Sequence, residues 1–401
     1  MNGVKGKLSL EGMKVLDLTQ HLSGPYCTML LGDMGAEILK IEKLDEGDDQ
    51  RKLGPFVAGE SSPFMMINRN KKSITLNLKS EQGREIVLTM AKACDVVVEN
   101  FRPGIVKSLG IDYESIKKVN PGIVYCSVSG YGQTGPYSRN GGFDILSQGM
   151  SGMMDMNTPE GRRPTKIPIS LYDISASLTG LYSILSAYIY KLRTGIGQYI
   201  DVSLIESGLA LTVQEASAYF VSGVVPKISG TRNHLSSPYQ AYKTKNGYVI
   251  IGAGNQKLWE SFCRSVVERP EWIDDPRFGK VVDRVEHIDA LEKMIEQVLA
   301  HHDTSHWVAR LEKAGVPGGP INSYDQALND PHIQARNMVV EIDHPKAGRM
   351  KALNMPAKMS ETPGLVRSPA PMLGQHTDEV LKSMLGFTSD DIEALRLSRT
   401  I

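Results

Sequence analysis

The chain has 401 residues, more than one ordinary hydrophobic core holds, so two domains, or one large domain with an insertion, are expected. Its 45 Lys and Arg balance 45 Asp and Glu, and the zero formal charge gives no support to a nucleic-acid or membrane-surface partner. No apolar run is long enough to span a bilayer, and the opening MNGVKGKLSLEG lacks the apolar core of a signal peptide. Cys27, Cys94, Cys126 and Cys263 lie far apart and form no CxxC pair, so reduced thiols in a cytoplasmic protein are expected rather than a zinc or disulfide framework.

From Lys14 strands and helices alternate. KVLDL reads as a strand, and SGPYCTMLLGDMG as a helix with Ser23 at its cap, Pro25 in its first turn and Gly35 at its stop. EILKIE and SITLNL read as strands, and SEQGREIVLTMAKAC as an amphipathic helix headed by Ser80. DVVVEN, YESIKKVN and IVYCSVSG read as strand, helix, strand. Strands apolar almost throughout and joined by helices predict a parallel sheet covered on both faces.

ISLYDISASLTG, residues 169–180, then sets the carboxylate of Asp173 at the head of a helix. Ile174, Leu178, Leu181, Leu185, Tyr188 and Leu192 recur on one apolar stripe of it. Ser175, Ala176, Ser177 and Gly180 fill the rest and permit close approach of other backbones. By itself an aspartate in this place reads first as a helix cap. Past Val221 comes a polar connection, SGVVPKISGTRNHLSSP, then a hairpin signal around Asn246-Gly247 and three helices, which read as a smaller α+β unit. From Tyr324 short helices and Pro-rich turns lead to HTDEVLKSMLGF and SDDIEALRL.

Generic chemical motifs are sparse. Gly130-Tyr-Gly132-Gln-Thr-Gly135 fits GxGxxG, but turn formers follow it where a dinucleotide site needs a helix. No GxxxxGK[ST] and no GxSxG is present. His301, His302 and His306 read as a solvated helix end, and no metal site is expected. Lys40, Lys43, Arg69, Lys71, Lys72, Lys79, Arg102, Lys107 and Arg139 fall near loop ends, where as a set they suit a polyphosphate.

Five segments change the weighting when taken in order. LEGMKVLDLTQHLSGPYCTMLLGDMGAEILKIEKLDEGDDQR, NRNKKSITLNLKSEQGR, DVVVENFRPGIVKSLGIDYESIKKVNPGIVYCSVSGYGQTGP, YDISASLTGLYSILSAYIYKLRTGIGQYIDVSLIES and LGQHTDEVLKSMLGF span nearly the whole chain. Together they resemble the class III CoA-transferases, the family of formyl-CoA transferase and carnitine CoA-transferase. The resemblance implies an α/β architecture: a Rossmann-like large domain built from both chain termini, residues 1–223 and 325–401, with a small α+β domain, 224–324, inserted between. It also implies an interlocked homodimer and no permanently bound cofactor, with coenzyme A thioesters as substrates.

The family's catalytic aspartate maps onto Asp173. A carboxylate with an ordinary pKa of about 3.9 is ionised at neutral pH and attacks an acyl-CoA without a general base, passing through an anhydride to an aspartyl-CoA thioester. Backbone N–H groups are the usual donors to such oxyanions. The family turn that helps here corresponds to Gln20, His21, Leu22, Ser23 and Gly24, with Leu22 where formyl-CoA transferase has glutamine. The resemblance assigns CoA contacts to Lys43, Thr75, Leu76, Lys79, Asn100, Phe101 and Arg102, with approximate carry-over to Lys107 and Arg139. The racemase branch of the superfamily uses a GHD histidine and an aspartate. Here Gly142-Phe143-Asp144 keeps Asp144 in the active-site loop but offers no proton-transferring histidine. The alternatives to a transferase are an α-methylacyl-CoA racemase and a non-catalytic acyl-CoA binder in which Asp173 only caps its helix. Met150, Met153, Met154 and Met156 suit either an acyl pocket or core filling.

Overall fold

A computed structural model describes residues 8–227 and 230–401. Residues 1–7, within the stretch read for a signal peptide, and residues 228–229 of the polar connection lie outside the described residues. The chain divides into two compact units, one of residues up to 155, 165–224 and 332–401, the other of 156–164 and 225–331.

In the larger unit β1 (Lys14–Asp17) leads into α1 (Ser23–Asp33), β2 (Glu37–Glu42), β3 (Lys71–Thr75), α2 (Glu81–Lys92) and β4 (Val96–Glu99). Then come α3 (Tyr113–Val119), β5 (Val124–Ser129), α4 (Asp144–Met150), α5 (Leu171–Thr194) and β6 (Tyr199–Ser203). The six strands form one parallel sheet in the order β3-β2-β1-β4-β5-β6. This is the doubly wound order, in which the chain reverses direction between β1 and β4 and leaves a crevice at the strands' carboxyl ends.

Alternate residues of each strand feed two cores. Leu16, Leu39, Ile41, Val97 and Tyr125 pack on one face against Ile86, Val87 and Met90 of α2 and Ile116 of α3. Two C-terminal helices, Thr377–Leu385 and Ser389–Leu397, add Val380, Leu381, Ile392 and Leu395 to that face. On the other face Val15, Ile38, Val96, Val98, Val124 and Cys126 meet Cys27 and Leu31 of α1 and Tyr172, Ala176, Ile184 and Ala187 of α5.

The 24-residue α5 turns its apolar stripe only partly inward, with Leu181, Leu185 and Tyr188 packed against the core. Its buried residues are mainly the small ones, Ser175, Ala176, Ser177, Gly180 and Ala187, with Tyr172 and Ile184. Leu178 and Leu192 of the apolar stripe are exposed, as are Tyr182, Ile189 and Tyr190. Close approach is the reason: a Cβ on Gly180 would sit 3.5 Å from Cys27 Sγ and 3.8 Å from Cys126 Sγ, so larger side chains do not fit that face.

The smaller unit holds a three-stranded antiparallel sheet of β7 (Tyr239–Lys243), β8 (Tyr248–Gly252) and β9 (Gly318–Pro320), with β7 and β8 joined through Asn246-Gly247. Trp259, Phe262, Phe278, Leu291, Ile295 and Trp307 fill its own core. Among the described residues no helix is long and apolar enough to cross a membrane.

Candidate active site

Asp173 is the third residue of α5, and it does not cap the helix. Ser170 at the N-cap makes no side-chain bond either. The cap comes from another element: Tyr172 N–H donates to Asp144 Oδ1 at 2.8 Å. Asp144 begins α4, and its other oxygen accepts from Gln148 Nε2 at 2.7 Å. Gln148, buried one turn later, accepts from Ile167 N–H at 2.9 Å, so it also holds the segment that enters α5. The Tyr172 hydroxyl hydrogen-bonds Ser151, and its ring fills the space where a Cβ on Gly208 would stand. The Asp173 carboxylate is left over. Among the described residues it has no hydrogen-bond or ion-pair partner.

The turn after β1 is tied at nearly every residue. Asp17 Oδ1 accepts from Thr19 N–H at 2.9 Å and Thr19 Oγ1 at 2.5 Å. Lys40 Nζ donates to Thr19 O at 2.7 Å, and Lys71 Nζ to Pro25 O at 2.9 Å. Asn100 grips Gln20 from both sides, Oδ1 accepting from its N–H at 2.8 Å and Nδ2 donating to its carbonyl at 2.7 Å. His21 holds the left-handed φ of 62°, and its N–H goes to Asp48 Oδ1 at 3.0 Å. Gly24 is needed for close approach, since a Cβ there would lie 2.4 Å from Thr19 Cγ2.

The N–H groups of Gln20 and His21 are therefore already given away, which corrects the expectation that the whole turn supplies oxyanion donors. Ser23 is likewise no cap, because it starts α1 itself and Leu22 precedes it without a side-chain bond. What stays open is the end of α1: among the described residues the N–H groups of Leu22, Ser23 and Gly24 have no partner, and Ser23 and Gly24 are buried. A helix start with unsatisfied N–H groups favours negative charge. Ser177 of α5 joins the two starts, its Oγ lying 2.5 Å from Ser23 O and 2.8 Å from Asp173 O.

Beside this junction, a crevice of about 260 Å³ opens at the switch point of the sheet. Gln20, His21, Asn100, Phe101, Arg102 and Phe143 line it. The other expected CoA contacts do not gather there. Thr75 lines a separate cavity of about 320 Å³ with Gly374 and Thr377, whose Oγ1 accepts from Thr75 N–H at 3.0 Å. Lys43 is exposed and paired with Asp49 at 2.9 Å. Lys79, Lys107 and Arg139 are exposed. The Leu76 side chain is 1% exposed and belongs to the core, which leaves only its backbone for a ligand. Of the methionines, Met150 is exposed beside the Tyr131 hydroxyl, and Met153 packs on the core under α5.

Three of the cations expected near loop ends are buried and unavailable to a polyphosphate. Lys40 pairs with Asp48 at 2.9 Å, Lys71 with Asp17 at 3.0 Å and Arg69 with Asp33 at 2.6 Å, all six buried. Burial opposes charge on Asp17, yet Lys71 and Lys40 hold its carboxyl well below the usual range. Burial, with the nearby charge of Lys40, carries Lys71 down to about 8 against the pull of Asp17.

Asp173 has no such cation. Burial, then the nearby charge of Asp144, push its carboxyl up to about 7. The expectation of a carboxylate ionised well below neutrality is thereby corrected: the side chain is half-protonated near pH 7. Glu99, behind the crevice with Oε2 accepting from Phe101 N–H at 2.8 Å, is also pushed up to about 7, chiefly by burial. Sequence reasoning missed Gln148, Asp48 and Glu99. An acid or amide one or two residues beyond an apolar strand was the available signal for Glu99 alone.

A doubly wound α/β fold with an unpartnered carboxylate on a helix that Ser177 ties to the open start of α1 suits covalent transfer of an acyl or thioester group. The profile of CoA-transferase family III matches residues 10–377. A succinyl-CoA:glutarate CoA-transferase of Mus musculus is 39% identical over 393 residues, covering 98% of this chain and 90% of that one. An acetyl-CoA:oxalate CoA-transferase of Acetobacter aceti is 38% identical, covering 89% and 90%. The crystal structure of a CaiB/BaiF family protein from Brucella suis superposes with a TM-score of 0.83 at 35% identity, covering 94% of this chain and all of that one. The chain belongs to CoA-transferase family III and is an enzyme that transfers CoA.

Proposed function

We propose that the enzyme exchanges CoA between an acyl-CoA and a free dicarboxylic acid through a thioester on Asp173. The observation that carries the reading is the Asp173 carboxylate itself. It stands at a helix start whose cap Asp144 supplies, and it meets no protein donor. The dicarboxylate class comes from relatives named for succinyl-CoA and glutarate.

The steps balance without an outside reagent. An Asp173 oxygen attacks the acyl carbon, the C–S bond breaks, and CoA thiolate leaves from a mixed anhydride. The thiolate attacks the aspartyl carbon, releasing the first acid as its carboxylate and leaving Asp173 as a CoA thioester. The acceptor carboxylate attacks that thioester and displaces the thiolate, which then attacks the acceptor's acyl carbon and restores Asp173. Each tetrahedral oxyanion meets the free N–H groups of Leu22, Ser23 and Gly24. Asn100, Phe101 and Arg102 in the crevice serve as CoA contacts, and Lys43, Thr75, Lys79, Lys107 and Arg139, which lie outside it, are the further contacts that the family likeness assigns. Phe143 has no proton to move, which weighs against a racemase.

A homodimer would cover exposed apolar side chains such as Tyr182 and Leu192 of α5 and Phe220 and Val221. Four buried, unpaired thiols suit a reducing, cytoplasmic setting. The test is an exchange assay with succinyl-CoA and labelled glutarate, malate or oxalate. Label entering the CoA ester supports the reading. Transfer that persists in Asp173→Asn rejects it.

A further inference from the structure

The turn that Ser177 links to the start of α5 rests on a buried ionic frame. Its members come from the sheet and from the 48–51 segment. Asp48 is 1% exposed and Lys40 fully buried. Asp48 Oδ1 accepts two backbone bonds, from His21 N–H and from Gln50 N–H, each at 3.0 Å. Its Oδ2 meets Lys40 Nζ at 2.9 Å, and that ammonium donates onward to Thr19 O at 2.7 Å. Asp48 is itself held, its N–H donating at 3.0 Å to Glu42 Oε2, which Arg51 Nε clamps at 2.7 Å. Thus one ion pair holds Thr19 by its carbonyl and His21 by its amide, on either side of Gln20.

We propose that Asp48 and Lys40 are positioning residues for CoA transfer: their buried pair fixes the left-handed backbone at His21 and so aims the open N–H groups of Leu22, Ser23 and Gly24 at the oxyanion on Asp173. A non-glycine residue at φ 62° is held against its own preference, and an acceptor for its N–H supplies that hold. The Asp48 bond to His21 N–H also keeps that amide from turning toward the substrate. The donors that remain are those continuous with the axis of α1, where the helix dipole adds to them. This inference rests on the aspartyl reading above, and neither residue touches substrate in it.

The test compares Asp48→Ala, Asp48→Asn and Lys40→Met with wild type. Each is assayed for steady-state exchange and for the rate at which CoA becomes attached to Asp173, at a temperature where circular dichroism shows each variant folded. Asp48→Ala removes the His21 acceptor and is expected to lower kcat and the attachment rate by about 10- to 100-fold, with KM for acyl-CoA within about threefold of wild type. Asp48→Asn keeps an oxygen for His21 N–H and is expected to recover a clear part of that loss. Should Asp48→Ala not fold, Asp48→Ser, whose hydroxyl is too short to serve both amides, takes its place. A folded Asp48→Ala or Asp48→Ser with wild-type kcat overturns the proposal. So does a loss that falls in KM alone, or one that Asn does not relieve. Absence of any CoA on Asp173 in wild type instead overturns the aspartyl reading, which separates the two failures.

Discussion

Two helix starts meet at Ser177, and they are built in opposite ways. At α5 the backbone is satisfied from outside, by Asp144, and the side chain is left free. At α1 the side chains of Asn100 and Asp48 take the N–H groups of Gln20 and His21, and among the described residues the N–H groups of Leu22, Ser23 and Gly24 are left free. One start thus offers a carboxylate without donors, and the other offers donors without an acceptor. The same rule, that a helix begins with unsatisfied N–H groups, yields a nucleophile in one place and an anion site in the other. The charge environments differ to match. Cations hold Asp17 below the usual range beneath the α1 turn, whereas Asp173 at α5 is pushed up to about 7.

The largest break of this contrast is expected from Gly24→Ala. Its methyl meets Thr19, which is fully buried and bonded to Asp17, so the turn must move. A loss of about 1–3 kcal/mol in stability and a fall in kcat well beyond tenfold are expected by denaturation and exchange assays. A variant with wild-type turnover would detach the turn from the chemistry. Next in size is Asp144→Ala, which strands Tyr172 N–H and leaves Gln148 Nε2 only its longer bonds to Ile167 O and Ile169 O, at a cost of about 1–2 kcal/mol in unfolding experiments. Asp144→Asn keeps an acceptor for the cap but removes a like charge. The acid limb of the kcat/KM profile, expected near pH 7 for wild type because only the ionised carboxylate attacks, should move to lower pH in it. The displacement should stay partial, since burial is the larger cause. An unmoved limb would show that the two carboxylates do not sense each other.

A further effect is on the pH dependence of stability. Asp173 titrates at its ordinary 3.8 in the unfolded chain and near 7 when folded, so ionising it opposes folding. The cost is absent below pH 3.8, grows between the two values and is complete above 7. Asp173→Asn should therefore raise Tm at pH 8 and leave it nearly unchanged at pH 4. Equal shifts at both values would place the carboxylate in water.

The alternation of apolar strands and helices made the parallel sheet legible, and the junction of strand-like run and helix drew attention to Asp173. Family likeness, not spacing, then gave that residue a chemical role. What the sequence hid were facts of three-dimensional contact. Lys40, Lys71 and Arg69 look like any surface cations until the fold sets Asp48, Asp17 and Asp33 against them. The cap of α5 lies 28 positions upstream of the residue it serves, beyond the reach of a local pattern. The apolar stripe of α5 is divided, Leu181, Leu185 and Tyr188 packing on the core while Leu178 and Leu192 are exposed, and the small residues meet Cys27 and Cys126 at Gly180.

The most direct test is mass spectrometry of the wild-type enzyme quenched during turnover with succinyl-CoA and digested. The account predicts that the peptide carrying Asp173 gains the mass of CoA less water, and that the gain is absent in Asp173→Asn. A CoA adduct on any other residue, or efficient turnover with Asp173 unmodified throughout, would contradict it.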